Sequence, residues 1–427
     1  MNKFLLLTMT LMILMSTLCI AESDTVWVKK IGTEVKAVKF NPDGQFIYAA
    51  AIGRKPMKLS TETGEILKEY DGVTYVDVND RSNLDISNGG KFLYSGDEGN
   101  TMYVWDTETG ALIHTLNTEY EEKEKPYYKS ISVSGKYVAA LVAYQKLIDG
   151  NLTYTTETHI WDVNTREKIK ILASFGGHTI KFSPDGKYLA FVKSENGTIF
   201  LKTETWEIYY DFIGHEVFDI SFTNDASLFA SCGSGGHIRI WDIPNKSLKD
   251  TIVDYGNLGA VAFAGNDYVI FQGSMGINPF YTKIWDTKSK NLIKSTLTYP
   301  PKDIDVFKQN DIYFIAEAIG NYSILLLKFD PSVVSVPTES DFDLSVTLSL
   351  NNATSSSNLI INSDKEMIVS LEVYDINSKT IFTKPILNLN IGRNEINIKT
   401  EFLPVGVYFC RISSKNIFKT FKIMLEK

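Results

Sequence analysis

The chain has 427 residues, enough for two or three domains that each bury a proper core. With 44% hydrophobic and 22% charged residues its composition is ordinary for a globular protein, which excludes a disordered or membrane-embedded chain. A formal net charge of -8 gives a phosphate backbone nothing to attract, so nucleic acid is not an expected partner.

In chain order, the first element is an address. Met1-Asn2-Lys3 makes a short positive start, Phe4 to Ile20 is almost unbroken apolar sequence, and Cys19-Ile20-Ala21 ends it with small residues at the two positions a signal peptidase inspects. Residues 1–21 therefore read as a secretory signal peptide and are left out of the fold. No later stretch is long enough to span a bilayer, so the mature chain is expected to have no transmembrane segment. Cleavage would leave Cys232 and Cys410, which fall in different domains of the reading below. They are expected to pack as small hydrophobes rather than to build a disulfide framework or a metal site.

A strand is expected at Thr25 to Lys29, ahead of Gly32-Thr33, and a repeat follows it. The segments around Trp105, Trp161, Trp241 and Trp285 each end a strand in Trp-Asp, and weaker copies place Leu59, Leu201 and Phe329 at the same point. Successive anchors are 46, 56, 40, 40, 44 and 44 residues apart. A second series puts a polar turn before an apolar strand seven times, with Phe46, Phe92, Tyr137, Tyr188, Leu228, Tyr268 and Ile312 as the first large strand residues. The best-formed unit shows the physics. Ile180 and Phe182 alternate with polar neighbours, Ser183-Pro184-Asp185-Gly186 turns, and Tyr188 to Val192 is continuously apolar, as expected of a strand covered on both faces. Two further strands complete a four-stranded unit that can bury its faces only by stacking on copies of itself.

On these residues the segment 24–330 resembles the WD40 family, whose repeats run at roughly 40–45 residues. The resemblance implies an all-β, seven-bladed β-propeller. The family's Gly-His marker appears at Gly177-His178 and Gly214-His215, and both histidines are read as structural remnants. The last blade lacks a fourth strand, and Thr25 to Lys29 is expected to supply it and close the ring.

Residues 331–347 turn to Ser, Val, Pro and Thr and read as a linker. Beyond it, 348–427 holds short alternating strands and suggests a compact β-sandwich. Tyr374-Asp375 at the end of LEVYD, Leu403, Gly406 and Tyr408 in LPVGVYF, and Lys422 in the last strand make this tail similar to the type A C-terminal sorting domain of the type IX secretion system. The resemblance implies export and engagement of that secretion machinery. The family's Pro-Asn-Pro entrance is here Leu350-Asn351-Asn352-Ala353, and its turn Gly is Ser378.

Motifs for catalysis are sparse. There is no Gly-x-Ser-x-Gly, no zinc-type His cluster and no phosphate loop, and no cofactor or catalytic residue is expected. Ser95 to Thr101 resembles the Asp-box of sialidase-like propellers with Met102 in place of an aromatic residue, and also reads as an ordinary Asp-Gly turn. The longest repeat step, Trp105 to Trp161, carries two excursions, 117–128 and 144–154. Their Tyr120, Tyr127, Tyr128, Tyr144 and Tyr154 would converge on one face as a candidate binding surface. An extended hairpin with solvated tyrosines is the other reading of the same residues.

The expected function is a secreted or cell-surface, non-enzymatic interaction scaffold whose partner is a protein or a surface glycan. A glycan-binding or sialidase-like propeller and a structural surface-layer component are the alternatives.

Overall fold

A computed structural model gives the structure of the chain. It describes residues 24–425 apart from 73–82, 97–100, 119–124, 149–150, 174–176, 194–196, 215, 255–257, 275–279, 300, 334–343, 352–355, 364–365, 376–379, 400–402 and 415–416. The signal peptide at 1–21, Tyr120, the centre of the Asp-box at 97–100 and His215 lie outside the described residues. Contacts divide the chain into two compact units, Met1–Ser332 and Val333–Lys427.

The first unit is a ring of seven four-stranded antiparallel sheets. Their first strands are Val35–Phe40, Leu84–Ile86, Lys125–Val133, Ile180–Phe182, Val217–Phe222, Leu258–Ala264 and Pro301–Gln309, which begin blades one to seven. Successive blades pack on one another, and the first strand of blade seven packs against that of blade one. Every blade is thereby covered on both faces, so its second strand is buried almost throughout; Phe46–Ala51 and Leu228–Gly233 are examples. Phe46, Phe92, Tyr137, Tyr188, Leu228, Tyr268 and Ile312 are each the first residue of a second strand.

The Trp-Asp anchors end the third strands for a local reason. Register slips by one residue beside Leu59, Trp105, Trp161, Leu201, Trp241 and Trp285, a β-bulge that bends the strand into its turn. The aspartate then holds that turn. Asp106 Oδ1 accepts from the amides of Glu108 and Thr109 at 3.1 and 2.8 Å, and Asp162 Oδ1 from those of Asn164 and Thr165 at 2.8 and 3.0 Å. These amides hold both carboxyls below the usual carboxylate range. The turn's last residue sits at positive φ, as Gly64 and Gly110 in two blades and as Arg166, Trp206, Lys246 and Lys290 in four others. Trp206 is such a turn residue, and the strand that follows it is Ile208–Phe212.

Blade seven runs in the order Thr25–Lys30, Ser323–Phe329, Ile312–Ile319, Pro301–Gln309, so the N-terminal strand closes the ring as expected. Trp27 pairs with Leu326 and Lys29 with Ile324. The Trp27 indole also crosses to blade one, where Nε1 donates to Thr61 O at 2.7 Å and the ring covers Gly64. One strand therefore fills the open edge of the last blade and clamps the first.

The second unit is a two-sheet sandwich. Strands Leu344–Asn351, Ser356–Ser363 and Gly392–Lys399 form one sheet; Thr380–Leu389, Met367–Asp375, Gly406–Ser414 and Ile417–Leu425 form the other in that order. Leu359, Ile361 and Ile396 of one sheet meet Val369, Leu371, Cys410 and Ile412 of the other in one buried core. The first strand begins at Leu344, inside the stretch 331–347 read as linker, because Leu344, Val346 and Leu348 continue one strand pattern.

Candidate partner surface, channel wall and sorting motif

Blade three departs from its neighbours. Its second and third strands, Tyr137–Ile148 and Asn151–Asp162, have 12 residues each, whereas Tyr188–Val192 in blade four has 5. They pair continuously from Tyr137↔Asp162 to Ile148↔Asn151. The inner neighbour strand reaches only Gln145, and the outer one only Glu157. Among the described residues, the pairs Lys146↔Thr153, Leu147↔Leu152 and Ile148↔Asn151 thus form a two-stranded ribbon with no third strand on either side.

The tyrosines of this region do not form the exposed loop cluster expected of them. Tyr128 is 1% exposed, and its hydroxyl lies 3.0 Å from Thr118 Oγ1. Tyr144 is 5% exposed, with its hydroxyl 3.1 Å from His159 Nε2. Both belong to the core cluster with Met102, Val142 and Trp161. The physical reason is strand alternation: both excursions continue strands, so Tyr128 and Tyr144 stay on the blade's packed face. Tyr127, one residue along, is half-buried, and Tyr154 pairs with Gln145 at the base of the ribbon. Tyr120 lies outside the described residues.

The central channel carries a pattern that sequence reading missed. Adjacent first strands are stitched by side chains that accept backbone amides of the next blade. Asp85 Oδ2 accepts Val133 N at 2.8 Å, Ser130 Oγ accepts Ile180 N at 3.1 Å and Ser132 Oγ accepts Phe182 N at 2.9 Å. Asp219 Oδ2 accepts Val261 N at 3.1 Å and Ser221 Oγ accepts Phe263 N at 2.9 Å. At the seam, Asp303 and Asp305 of blade seven accept Val38 N and Phe40 N of blade one at 3.0 and 2.8 Å. Lys181 Nζ reaches Asp219 at 2.8 Å, and Lys39 lies 3.8 Å from Asp305. Burial pushes Asp303 up to about 6 against the pull of Lys39 and Lys181, and burial raises Asp85 as well. Burial alone would lower the Lys39 ammonium, but the surrounding Asp305, Asp303, Asp85 and Asp219 outweigh it and raise it. The signal in the sequence was the polar partner of each inner-strand alternation, as in Asp303-Ile304-Asp305.

The blade anchors are structural. Trp105 and Trp161 are buried, Trp241 donates through Nε1 to Ser231 Oγ at 3.0 Å, and Trp285 is partly buried against Val261 and Phe271. His178 Nδ1 lies 3.0 Å from Lys129 Nζ. Among the described residues no group of three His, Cys, Asp or Glu side chains could hold a metal ion. Cys232 and Cys410 are both buried, and burial lifts the Cys410 thiol to about 12.

In the sandwich, the sorting-motif residues meet at one end of the four-stranded sheet. Asp375 pairs with Tyr408 and Tyr374 with Phe409, and Lys422 lies opposite Phe409 on the last strand. The Tyr374 and Phe409 rings stack with centroids 5.7 Å apart. Tyr408 is buried, and its hydroxyl donates back to Pro404 O at 2.7 Å, a tyrosine-corner type of contact that fixes the loop between Leu403 and Gly406. Leu403 packs against the core from that loop. Nothing lies within 4 Å of where a Cβ on Gly406 would stand, so packing does not demand that glycine.

Comparison with known proteins agrees with both halves. The family profile described as WD domain, G-beta repeat matches residues 66–106 and 206–242, and the one described as secretion system C-terminal sorting domain matches 354–426. The meiotic recombination protein rec14 of Schizosaccharomyces pombe is 25% identical over 149 residues, covering 34% of this chain and 45% of that protein. The chain thus spans less than half the length of that curated relative. Among the described residues no helix is long and apolar enough to cross a membrane. The chain carries WD40 repeats within its β-propeller and a C-terminal sorting domain of the type IX secretion system, the mark of export to the cell surface or beyond it.

Proposed function

We propose that the propeller is a non-enzymatic interaction scaffold, displayed or released at the cell surface, that holds a protein or surface-glycan partner. The observation that carries this reading is the ribbon of blade three. The ring carries a two-stranded arm, and among the described residues no strand pairs with the backbone edges of its outermost pairs. Such edges are ready templates for an added strand, and a long insertion on a regular repeat is where binding is usually placed. The half-buried Tyr127 and, at the base of the ribbon, Tyr154 remain candidates for contact, whereas Tyr128 and Tyr144 serve the core. The sorting domain supplies the route, through the secretion machinery, and leaves the propeller as the working part.

The test is to replace residues 146–153 with a two-residue Asn-Gly turn joining Gln145 to Tyr154, which suits a tight hairpin. The shortened protein should keep its melting temperature and lose recovery of its partner from a cell-surface extract. Equal recovery by the two proteins would refute the role of the ribbon.

A further inference from the structure

The seam between blades seven and one holds a cavity of about 590 Å³, within the range of about 300–1,000 Å³ usual for ligand sites. Its origin lies in the ring closure. Blades one to six each cover this face with a turn joining third and fourth strands. Blade seven has no such turn, because its third strand ends at Phe329 and its fourth is the entering strand Thr25–Lys30. The register of that entering strand slips between Thr25 and Trp27, and the bulged Val26, 41% exposed, stands at the cavity.

The lining has a definite chemistry. Three half-buried rings, Phe46, Phe307 and Phe314, present apolar surface. Gly44, at φ +73, lets the blade-one turn lie against Phe307, since a Cβ there would come within 2.0 Å of that ring. Around the rings stand the exposed carboxamides of Gln45 and Gln309 and the hydroxyl of Ser60, groups that both donate and accept. Among the described residues, the only charged lining residues are Asp43 and Glu62, both carboxylates. Lys58 lies 3.7 Å from the Phe46 ring centroid but directs its ammonium to Thr107 O of blade two, at 3.2 Å.

We infer that this seam cavity binds a neutral saccharide. A sugar ring offers an apolar C–H face to an aromatic side chain and a rim of hydroxyls that donate and accept, which is the pairing the cavity provides. The two carboxylates, with no cationic lining residue among the described residues, select against anionic sugars, whose carboxylate or sulfate they would repel. The inference deepens the scaffold reading by naming one ligand class, and rests on that reading only for the surface location.

The test uses the full mature chain and a panel of neutral gluco-, galacto- and manno-oligosaccharides, beside uronic-acid and sialylated ones, titrated by calorimetry. A neutral oligosaccharide should bind and the acidic members should not. Replacing the exposed pair by Glu62→Ala and Gln309→Ala should weaken binding at least tenfold, about 1.4 kcal/mol, with the melting temperature unchanged. No binding by any neutral sugar at millimolar concentration, binding of acidic sugars instead, or binding untouched by the double variant would each overturn the inference. The ribbon-shortened protein serves as the second arm. Undiminished sugar binding by it supports the seam site, while loss of binding there would place the sugar on blade three and reject the seam. Partner recovery that depends on the ribbon without any sugar binding would sink the cavity alone and leave the scaffold reading standing.

Discussion

Asp303 Oδ2 accepts the backbone amide of Val38 at 3.0 Å, joining residues 265 positions apart and closing the inner seam of the ring. Both groups are buried, so the bond has no water to replace it. Asp303→Ala should leave the Val38 amide unpaired in the wall and cost about 1–3 kcal/mol. Asp303→Asn keeps an acceptor and should cost less. Thermal or urea unfolding of the three proteins checks the order, and equal stability of wild type and the alanine variant would contradict it.

Glu317 gives the propeller a pH dependence. It is fully buried, with Thr282 Oγ1 donating to Oε1 at 2.7 Å and Thr298 Oγ1 to Oε2 at 3.4 Å. Burial pushes its carboxyl from 4.5 up to about 7, against the lowering effect of hydrogen bonds from Thr282, Gln272 and Thr298. Between those values the folded chain keeps a proton that the unfolded chain has lost, so stability falls as pH rises through this window and levels off above about 7. The cost at pH 8 is on the order of 3 kcal/mol. Glu317→Gln should flatten this part of the profile and be the more stable protein at pH 8. An unchanged slope between pH 5 and 7 in the variant would count against it.

Tyr144 and Tyr127 should behave oppositely although they stand on adjacent strands of blade three. Tyr144→Ala removes a buried ring from the blade-three core and leaves His159 Nε2 without that hydroxyl. It should cost about 3 kcal/mol or more. Tyr127→Ala, on a half-buried side chain, should cost under about 1 kcal/mol. Circular-dichroism melts of the single variants decide, and similar losses would mean the burial assignment is wrong.

The closing strand is expected to be indispensable. Removing residues 24–31 would bare the edge of Ser323–Phe329 and withdraw the Trp27 clamp from Thr61 and Gly64. The loss should reach several kcal/mol, enough to unfold a domain of ordinary stability. An unaltered melting temperature would show that the ring does not depend on this strand.

The architecture was legible because two markers recur with the period of the blade. Phe46 to Ile312 mark where strands begin and Trp105 to Trp285 where they turn, and both follow from local chemistry. Ring closure was legible from a missing strand and a spare one. The tyrosines were misread because Gln145-Lys146 and Asn151-Leu152-Thr153 look like loop, and sequence gives no cue that a ladder continues through them. The roles of Asp303 and Asp305 were not legible, since only the closed ring turns their face of the strand into a channel wall. The seam cavity was invisible for the same reason. Gln309 and Glu62 are distant in sequence and meet only when blade seven reaches blade one.

The scaffold reading is tested most directly by a photo-reactive side chain placed at Thr153 on the ribbon, in protein displayed on its own cells. A second protein carries it at Ile213 in blade four, which is 70% exposed and far along the chain from the ribbon. The account predicts that light cross-links a discrete species through position 153 and not through position 213. Cross-linking through 213 alone, or the same products from both positions, would contradict it.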